Sequence, residues 1–179
     1  MPALDKGKIT GIVLAGGQSK RMGRDKALLE VNGHTLIDHM IELLHSLALK
    51  DIYVSGNYEG YKCLPDQHPG KGPAAAMVDI LKTLPPETKG ILVVPVDMPF
   101  LTTEILEELM NYPQGAFYAD RHFPAFLPNI DITATFTDEP VMALFEHIGL
   151  KMLDAPRDQE TLFTNVNTPE EWARAHVHL

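Results

Sequence analysis

Cysteine is all but missing. Cys63 stands alone in 179 residues, which rules out an internal disulfide and a cysteine metal cluster; it reads as a small, half-buried hydrophobe. Positive charge is scarce as well. The chain has 15 Lys and Arg against 24 Asp and Glu, a formal net charge of −9. That balance argues against a broad nucleic-acid surface, which needs a cationic face to displace counterions. It leaves room for one nucleotide in a locally cationic pocket. No apolar stretch reaches the length of a membrane span, and Met1 to Lys6 lacks the apolar core of a signal peptide. The expectation is a cytoplasmic protein with neither a nucleic-acid nor a membrane partner. Internal repeats, low-complexity tracts and linkers are missing too. Residues 1–179 are therefore expected to form a single domain with a core of ordinary size, residues 1–8 being a flexible N-terminus.

What is present is concentrated near the start. An apolar, β-branched run from Ile9 to Leu14 reads as a buried strand. It feeds into Ala15-Gly16-Gly17-Gln18-Ser19-Lys20-Arg21-Met22-Gly23-Arg24-Asp25-Lys26, a loop with three glycines and four cations. Gly16 and Gly17 carry no Cβ, so backbone N–H groups can approach anionic oxygens closely. Arg21 offers a planar fork for two phosphate oxygens, and Lys26 a mobile ammonium for a leaving pyrophosphate. The loop is not a P-loop, because Gly23 is followed by Arg24 and not by Lys and a hydroxyl residue. The dinucleotide fingerprint G-x-G-x-x-G is absent as well. A plain Gly-rich turn is the competing reading for Gly-Gly alone. Four cations in an otherwise acidic chain favour an anion site.

Strand-like and helix-like segments then alternate. Ala27 to Val31 is a short apolar run closed by the turn dipeptide Asn32-Gly33. Thr35 is placed to cap a helix whose Leu36, Ile37, Met40, Ile41, Leu44 and Leu47 recur on one face. His39 and His45 within it read as packing or solvent residues. Asp51 to Ser55 reads as a second buried strand, and Asn57 lies just past its end, where open α/β sheets place ligand contacts; a turn residue is the alternative. Tyr61 to Leu64 is a third strand candidate. The irregular Pro65 to Pro73 leads into a helix over 74–84 stopped by Pro85-Pro86, whose N-terminal N–H groups can meet phosphate or base oxygens.

Ile91 to Val96 is the most hydrophobic run and reads as a central parallel strand. Asp97 follows it directly. A carboxylate at the carboxyl end of a buried strand suits a Mg²⁺ ion, which is held by one or two carboxylates plus substrate phosphate oxygens. Capping the next helix is the competing role, but Thr102 or Thr103 is available for that. Ile105, Leu106, Leu109 and Met110 give a short amphipathic helix. Strands follow at 116–119 and 123–127 around a turn at Asp120-Arg121, then a helix at 141–148 and a strand at 150–154. Near the C-terminus, Thr168 as N-cap, Pro169 at N1 and Glu171 at N3 form a capping box. Asn165 and Asn167 project to one side of an extended segment. His176 and His178 do not share a helix face and make no metal site. The fold class expected from this alternation is α/β: one doubly wound, mostly parallel sheet flanked by helices.

Two stretches carry a family resemblance. Leu14 to Leu29 has the form L-A-G-G-x-S-x-R-M-G-x-D-K-x-L-L, and Phe163 to Glu171 has the form F-x-N-V-N-T-P-E-E. The chain resembles the molybdenum cofactor guanylyltransferases, the MobA-type branch of the nucleotidyltransferases, from Ile9 to about Trp172. The resemblance implies transfer of GMP from GTP to molybdopterin or the molybdenum cofactor. It implies catalytic roles for Arg21, Lys26 and Asp97, with Mg²⁺ on Asp97. It implies nucleotide contacts from Leu14, Ala15, Gly16, Gly17, Lys26, Asn57, Asp66, Gly72 and Asp97, and acceptor contacts from Asn165 and Asn167. Molybdoenzyme apoproteins or their chaperones are further implied partners. The chain departs from the family's usual G-P-L-A-G at Gly72-Pro73-Ala74-Ala75-Ala76, and from its H-P element at His122-Phe123-Pro124. A cytidylyltransferase or sugar-phosphate nucleotidyltransferase with the same loop, and a non-catalytic GTP-binding cofactor chaperone, are the alternatives.

Overall fold

The computed structural model describes residues 5–15, 25–31, 33–65, 72–132, 136, 139–156 and 158–175. Seven strands form the main sheet: β1 (Ile9–Leu14), β4 (Asp51–Ser55), β5 (Cys63–Leu64), β6 (Gly90–Pro95), β7 (Ala116–Tyr118), β8 (Ala125–Pro128) and β9 (Lys151–Leu153). Two more, β2 (Glu30–Val31) and β3 (His34–Thr35), pair as a small antiparallel hairpin. The sheet order is β5-β4-β1-β6-β8-β7-β9. β5, β4, β1 and β6 run parallel, β8 is antiparallel to β6 and to β7, and β7 is parallel to β9. β8 alone therefore opposes the common direction. The run expected as a central parallel strand is central, but parallel to its neighbour on the β1 side only.

Successive residues of β1 and β6 face opposite sides of the sheet, so each side has its own core. On one side Ile9, Val13, Leu92 and Val94 pack with helices α1 (Leu36–Ser46) and α3 (Thr103–Met110). On the other, Ile12, Ile91 and Val93 pack with α2 (Gly72–Thr83) and α4 (Val141–Ile148). Helices on both faces of one mostly parallel sheet make the fold doubly wound, as the alternation of segments predicts.

Local chemistry fixes the ends of these elements. Thr35 caps α1 in a complete capping box: its Oγ1 accepts from Asp38 N at 3.1 Å, and Asp38 Oδ2 accepts from Thr35 N at 2.9 Å. Tyr61 Oη donates to the other Asp38 oxygen at 2.9 Å. Burial works to raise the Asp38 pKa, but the bonds from Thr35 and Tyr61 outweigh it and hold the carboxyl below its usual value. Gly11 lets α1 approach the sheet: a Cβ there would lie 3.0 Å from Leu44 Cδ1 and 3.2 Å from Ile52 Cγ1.

Several boundaries differ from the sequence reading, most by a residue or two at a strand end. α2 begins at Gly72, two residues before the expected start, because Pro73 is well tolerated in a first helical turn. The strand expected at 123–127 begins at Ala125, since residues 119–124 form a wider turn in which Arg121 N donates to Tyr118 O at 3.2 Å. Lys6–Lys8, within the expected flexible start, form one 3-10 turn, and Lys6 Nζ lies 2.5 Å from Glu107 Oε1. Among the described residues no helix is long and apolar enough to cross a membrane.

Candidate active site

The chain passes from β1 through α1 to β4 on one side, then returns through α2 to β6 on the other. Strand order therefore reverses between β1 and β6, and the crevice lies beyond the paired carboxyl ends of those strands. Val96 N donates to Leu14 O at 3.1 Å, extending the pairing by one bond. The next residue is Asp97. Lys26 reaches it from a 3-10 turn, Lys26–Leu28: Lys26 Nζ lies 2.6 Å from Asp97 Oδ2 and 3.0 Å from Asn167 Oδ1. The ion-paired side chains are 18% and 20% exposed, shielded yet open to an incoming ligand.

The turn that carries Lys26 is fastened from both ends. Asp25 Oδ1 accepts from Ala27 N at 3.0 Å. Asp25 Oδ2 accepts from Tyr58 Oη at 3.1 Å, and the same hydroxyl donates to Ala15 O at 2.9 Å. One proton shared between two acceptors ties the end of β1 to the start of the Lys26 turn. Burial of the phenol, reinforced by the neighbouring Asp25 carboxylate, pushes the Tyr58 pKa up to about 12.

The opposite wall comes from the C-terminal part of the chain. Val166 N donates to Asp97 O at 2.8 Å, fixing the extended segment that bears both asparagines. The segment is braced by helix α5 (Pro169–Ala175) through the predicted capping box. Glu171 N donates to Thr168 Oγ1 at 3.2 Å, while Glu171 Oε2 accepts from Thr168 N at 3.1 Å and from Asn167 N at 2.6 Å. The resulting cleft holds about 400 Å³ and is lined by Leu14, Ala15, Lys26, Asp97, Asn165 and the 120–123 turn. Asn165 also borders a second, mostly apolar cavity of about 920 Å³ walled by Phe100, Leu162 and α5.

Comparison with known proteins assigns the chain to a family. Residues 11–130 match the MobA-like NTP transferase domain. The molybdenum cofactor guanylyltransferase of Xanthomonas euvesicatoria pv. vesicatoria (strain 85-10) is 32% identical, over 92% of this chain and 93% of that protein. The chain belongs to the MobA-like NTP transferase family. Solved structures agree on the fold of this NTP transferase. Molybdopterin-guanine dinucleotide biosynthesis protein A from Archaeoglobus fulgidus superposes with a TM-score of 0.62 at 20% identity, covering 94% of this chain and 97% of that one. A Mycobacterium tuberculosis H37Rv protein solved in complex with manganese superposes with a TM-score of 0.61 at 16% identity, covering 96% and 100%.

The NTP transferase cleft gathers five of the site residues expected from the sequence. Leu14, Ala15, Lys26, Asp97 and Asn165 line it, and Asn167 touches it through Lys26. Asn57 is exposed, one residue past Gly56 at the end of β4, and is not part of that lining. Gly72 is the first residue of α2. Gly16, Gly17, Arg21 and Asp66, and likewise His176 and His178, lie outside the described residues. Among the described residues no group of three or more His, Cys, Asp or Glu side chains is arranged to hold a metal ion. Two residues in or beside the cleft escaped the sequence reading. Tyr58 is adjacent to Asn57, and Arg121 sits in a turn recognised only as a turn; neither belongs to a motif with its own spacing.

Proposed function

We propose that the chain transfers GMP from GTP to molybdopterin or to its molybdenum-bearing form, releasing pyrophosphate. The observation that carries this reading is the Lys26–Asp97 ion pair, seated at the sheet's switch point and joined there by Asn167. A cation, a carboxylate and an amide converge where α/β sheets take nucleotides. The relatives' names supply the identity of donor and acceptor, and the cleft supplies a place for a triphosphate to meet a second substrate.

A terminal phosphate monoester on the acceptor is already anionic, so the protein needs no nucleophile of its own. An acceptor phosphate oxygen attacks the α-phosphorus of GTP in line. A new phosphoanhydride bond forms as the bond between the α-phosphorus and its bridging oxygen breaks, and pyrophosphate leaves with the electron pair. In this reading Gly16 and Gly17 offer backbone N–H groups, and Arg21 and Lys26 charge, to the departing pyrophosphate. Leu14, Ala15, Asn57, Asp66 and Gly72 surround the nucleotide, while Asn165 and Asn167 face the acceptor. Asn165 borders the larger apolar cavity, which offers room for a fused-ring acceptor beyond the cleft.

Asp97 fits a divalent cation: a partly exposed carboxylate at a strand end, with one oxygen already beside a cation that can let go. A site with one protein carboxylate is the usual pattern for Mg²⁺ that also binds substrate phosphates. When bound, Mg²⁺ supplies charge neutralisation at the phosphates and a template for the two substrates. The same reading makes residues 1–179 one nucleotidyltransferase domain working in the cytoplasm and passing its product to molybdoenzyme apoproteins or their chaperones.

The deciding experiment follows pyrophosphate release with Mg²⁺, molybdopterin and each of the four nucleoside triphosphates in turn. Release with GTP alone is the expected result. Release with CTP moves the protein to a cytidylyl-transfer role, and GTP binding without release makes it a carrier.

A further inference from the structure

We infer that Arg121 is a binding residue for the acceptor's terminal phosphate, held for that purpose by a stack on Phe163. The inference rests on the transfer reading above and adds to it the group that seats the attacking phosphate. Arg121 lines the cleft together with Lys26 and Asp97. Its Cζ lies 4.7 Å from the centroid of the Phe163 ring. That ring is itself fixed: Phe163 is buried and meets the Tyr118 ring edge-on at 5.0 Å. Tyr118 is anchored in turn by bonds from its hydroxyl to Ile105 O at 3.0 Å and Glu108 Oε2 at 2.8 Å. A guanidinium stacked by its face keeps its N–H edges for in-plane bonds, and five donors in a rigid fork match phosphate oxygens in pairs.

Charge bookkeeping singles out the same side chain. Among the described residues lining the cleft, Lys26 is paired with Asp97, whereas Arg121 takes part in no ion pair. The adjacent Asp120 is exposed, holds a left-handed backbone (φ 61°) and makes no ion pair with Arg121. An incoming dianion therefore finds an uncommitted fork there.

Position decides which phosphate. Lys26 and Ala15 approach Asp97 from the β1 side, where the Gly-rich loop departs. Arg121 belongs to the β7–β8 connection, and its stacking partner Phe163 lies two residues from Asn165, on the segment bonded to Asp97 through Val166. Arg121 thus sits on the acceptor side of Asp97, opposite the triphosphate side. A phosphate monoester gripped there is placed beside the carboxylate around which the reaction centres.

The test compares R121Q and R121K with wild type in two measurements. Molybdopterin binding without GTP, followed by pterin absorbance, reads Arg121 independently of chemistry. Pyrophosphate release reads the KM of each substrate. R121Q is expected to weaken molybdopterin binding and raise its KM at least tenfold, with the KM of GTP within twofold and the melting temperature unchanged within a few degrees. R121K recovers part of the loss, since charge returns without the fork and the stack. Unchanged molybdopterin binding in R121Q, or a rise confined to the KM of GTP, overturns the assignment. A wild-type protein that binds molybdopterin through Arg121 yet releases no pyrophosphate refutes the transfer reading and leaves the phosphate site standing. A wild-type protein that does not bind molybdopterin overturns both.

Discussion

Lys26 Nζ lies 2.6 Å from Asp97 Oδ2, across 71 residues of sequence, and the two side chains form a part-buried ion pair. Each charge keeps the other in place. In the proposed transfer the lysine would turn to phosphate and the carboxylate would hold the divalent cation, so that neither charge would be desolvated alone. Removing either partner should therefore damage chemistry more than folding.

Lys26→Ala is expected to lower turnover by about 10²–10³-fold, the usual cost of losing a preorganised charge at a reacting centre. Asp97 stays partly exposed and water can take the lysine's place, so the fold survives. Pyrophosphate release and circular dichroism on the same preparation check both halves. Wild-type turnover in this variant would sink the transfer reading.

Asp97→Asn keeps the shape and removes the charge. Turnover should fall by about 10²-fold or more, and the Mg²⁺ concentration needed for half-maximal rate should rise. Chelation of divalent cations should abolish pyrophosphate release by wild type reversibly. Titrating Mg²⁺ into both proteins under saturating GTP distinguishes a metal ligand from a residue that only pairs with Lys26, whose loss would leave the Mg²⁺ dependence unchanged.

Tyr58→Phe deletes the hydroxyl that bridges Ala15 and Asp25. Stability at pH 7 should drop by about 1 kcal/mol, the net worth of such a bond. The pH dependence has a definite sign. The folded pKa, about 12, exceeds the unfolded value of about 10, so the hydroxyl's contribution is fully present below pH 10 and is lost as pH rises through 12. Denaturant melts of the two proteins should converge over that interval, and phenolate absorbance of wild type should show a late-titrating tyrosine that Tyr58→Phe lacks, beside the buried Tyr118, which is also raised.

Glu171→Ala removes the acceptor of the Asn167 and Thr168 N–H groups. Loss of the reciprocal cap should cost about 1 kcal/mol. Turnover should fall several-fold more than that loss of stability explains, because Asn167 is no longer oriented toward Lys26. Thr168→Ala is the comparison: it weakens the helix cap but leaves both N–H groups on Glu171. Equal turnover in the two variants would mean that Asn167 orientation does not matter.

Gly90→Ala probes the join between β6 and β8. A Cβ at that position would lie 2.7 Å from both Leu127 O and the Phe126 ring, and the first of these is backbone in the paired strand. Destabilisation of about 1–3 kcal/mol is expected, in line with overpacking elsewhere. A thermal melt unchanged from wild type would show that the strands can spread at no cost.

Much of this was legible in the sequence, for reasons that particular elements make plain. β4 and α4 match the expected spans residue for residue, because each is bounded by residues that cannot continue it. The faces of α1 and α3 were readable from period alone. The cap at Thr35 and the capping box at Thr168 were readable from residue type and spacing, whereas the reciprocal bond from Asp38 at the first came from the structure. The convergence of Lys26, Asp97 and Asn167 was reachable only through the family resemblance, since separations of 71 and 141 residues leave no local trace. Arg121 and Tyr58 were missed on the same physical ground. Each acts from a connection whose neighbours are set by strand order: two strands around the Asp120-Arg121 turn imply a hairpin, but not that β8 inserts beside β6 and so carries the 119–124 turn to the cleft.

The bond from Val166 N to Asp97 O has a bearing on synthesis at the ribosome. A nascent chain that has emerged as far as α4 already holds β1, the Lys26 turn and β6. It lacks the strap that pins Asp97 and the amide that meets Lys26. Such a chain would own one wall of the cleft and would gain the second only when residues 164–175 cleared the exit tunnel. Order of manufacture thus places the β1 wall of the cleft before the wall built by Asn165 and Asn167.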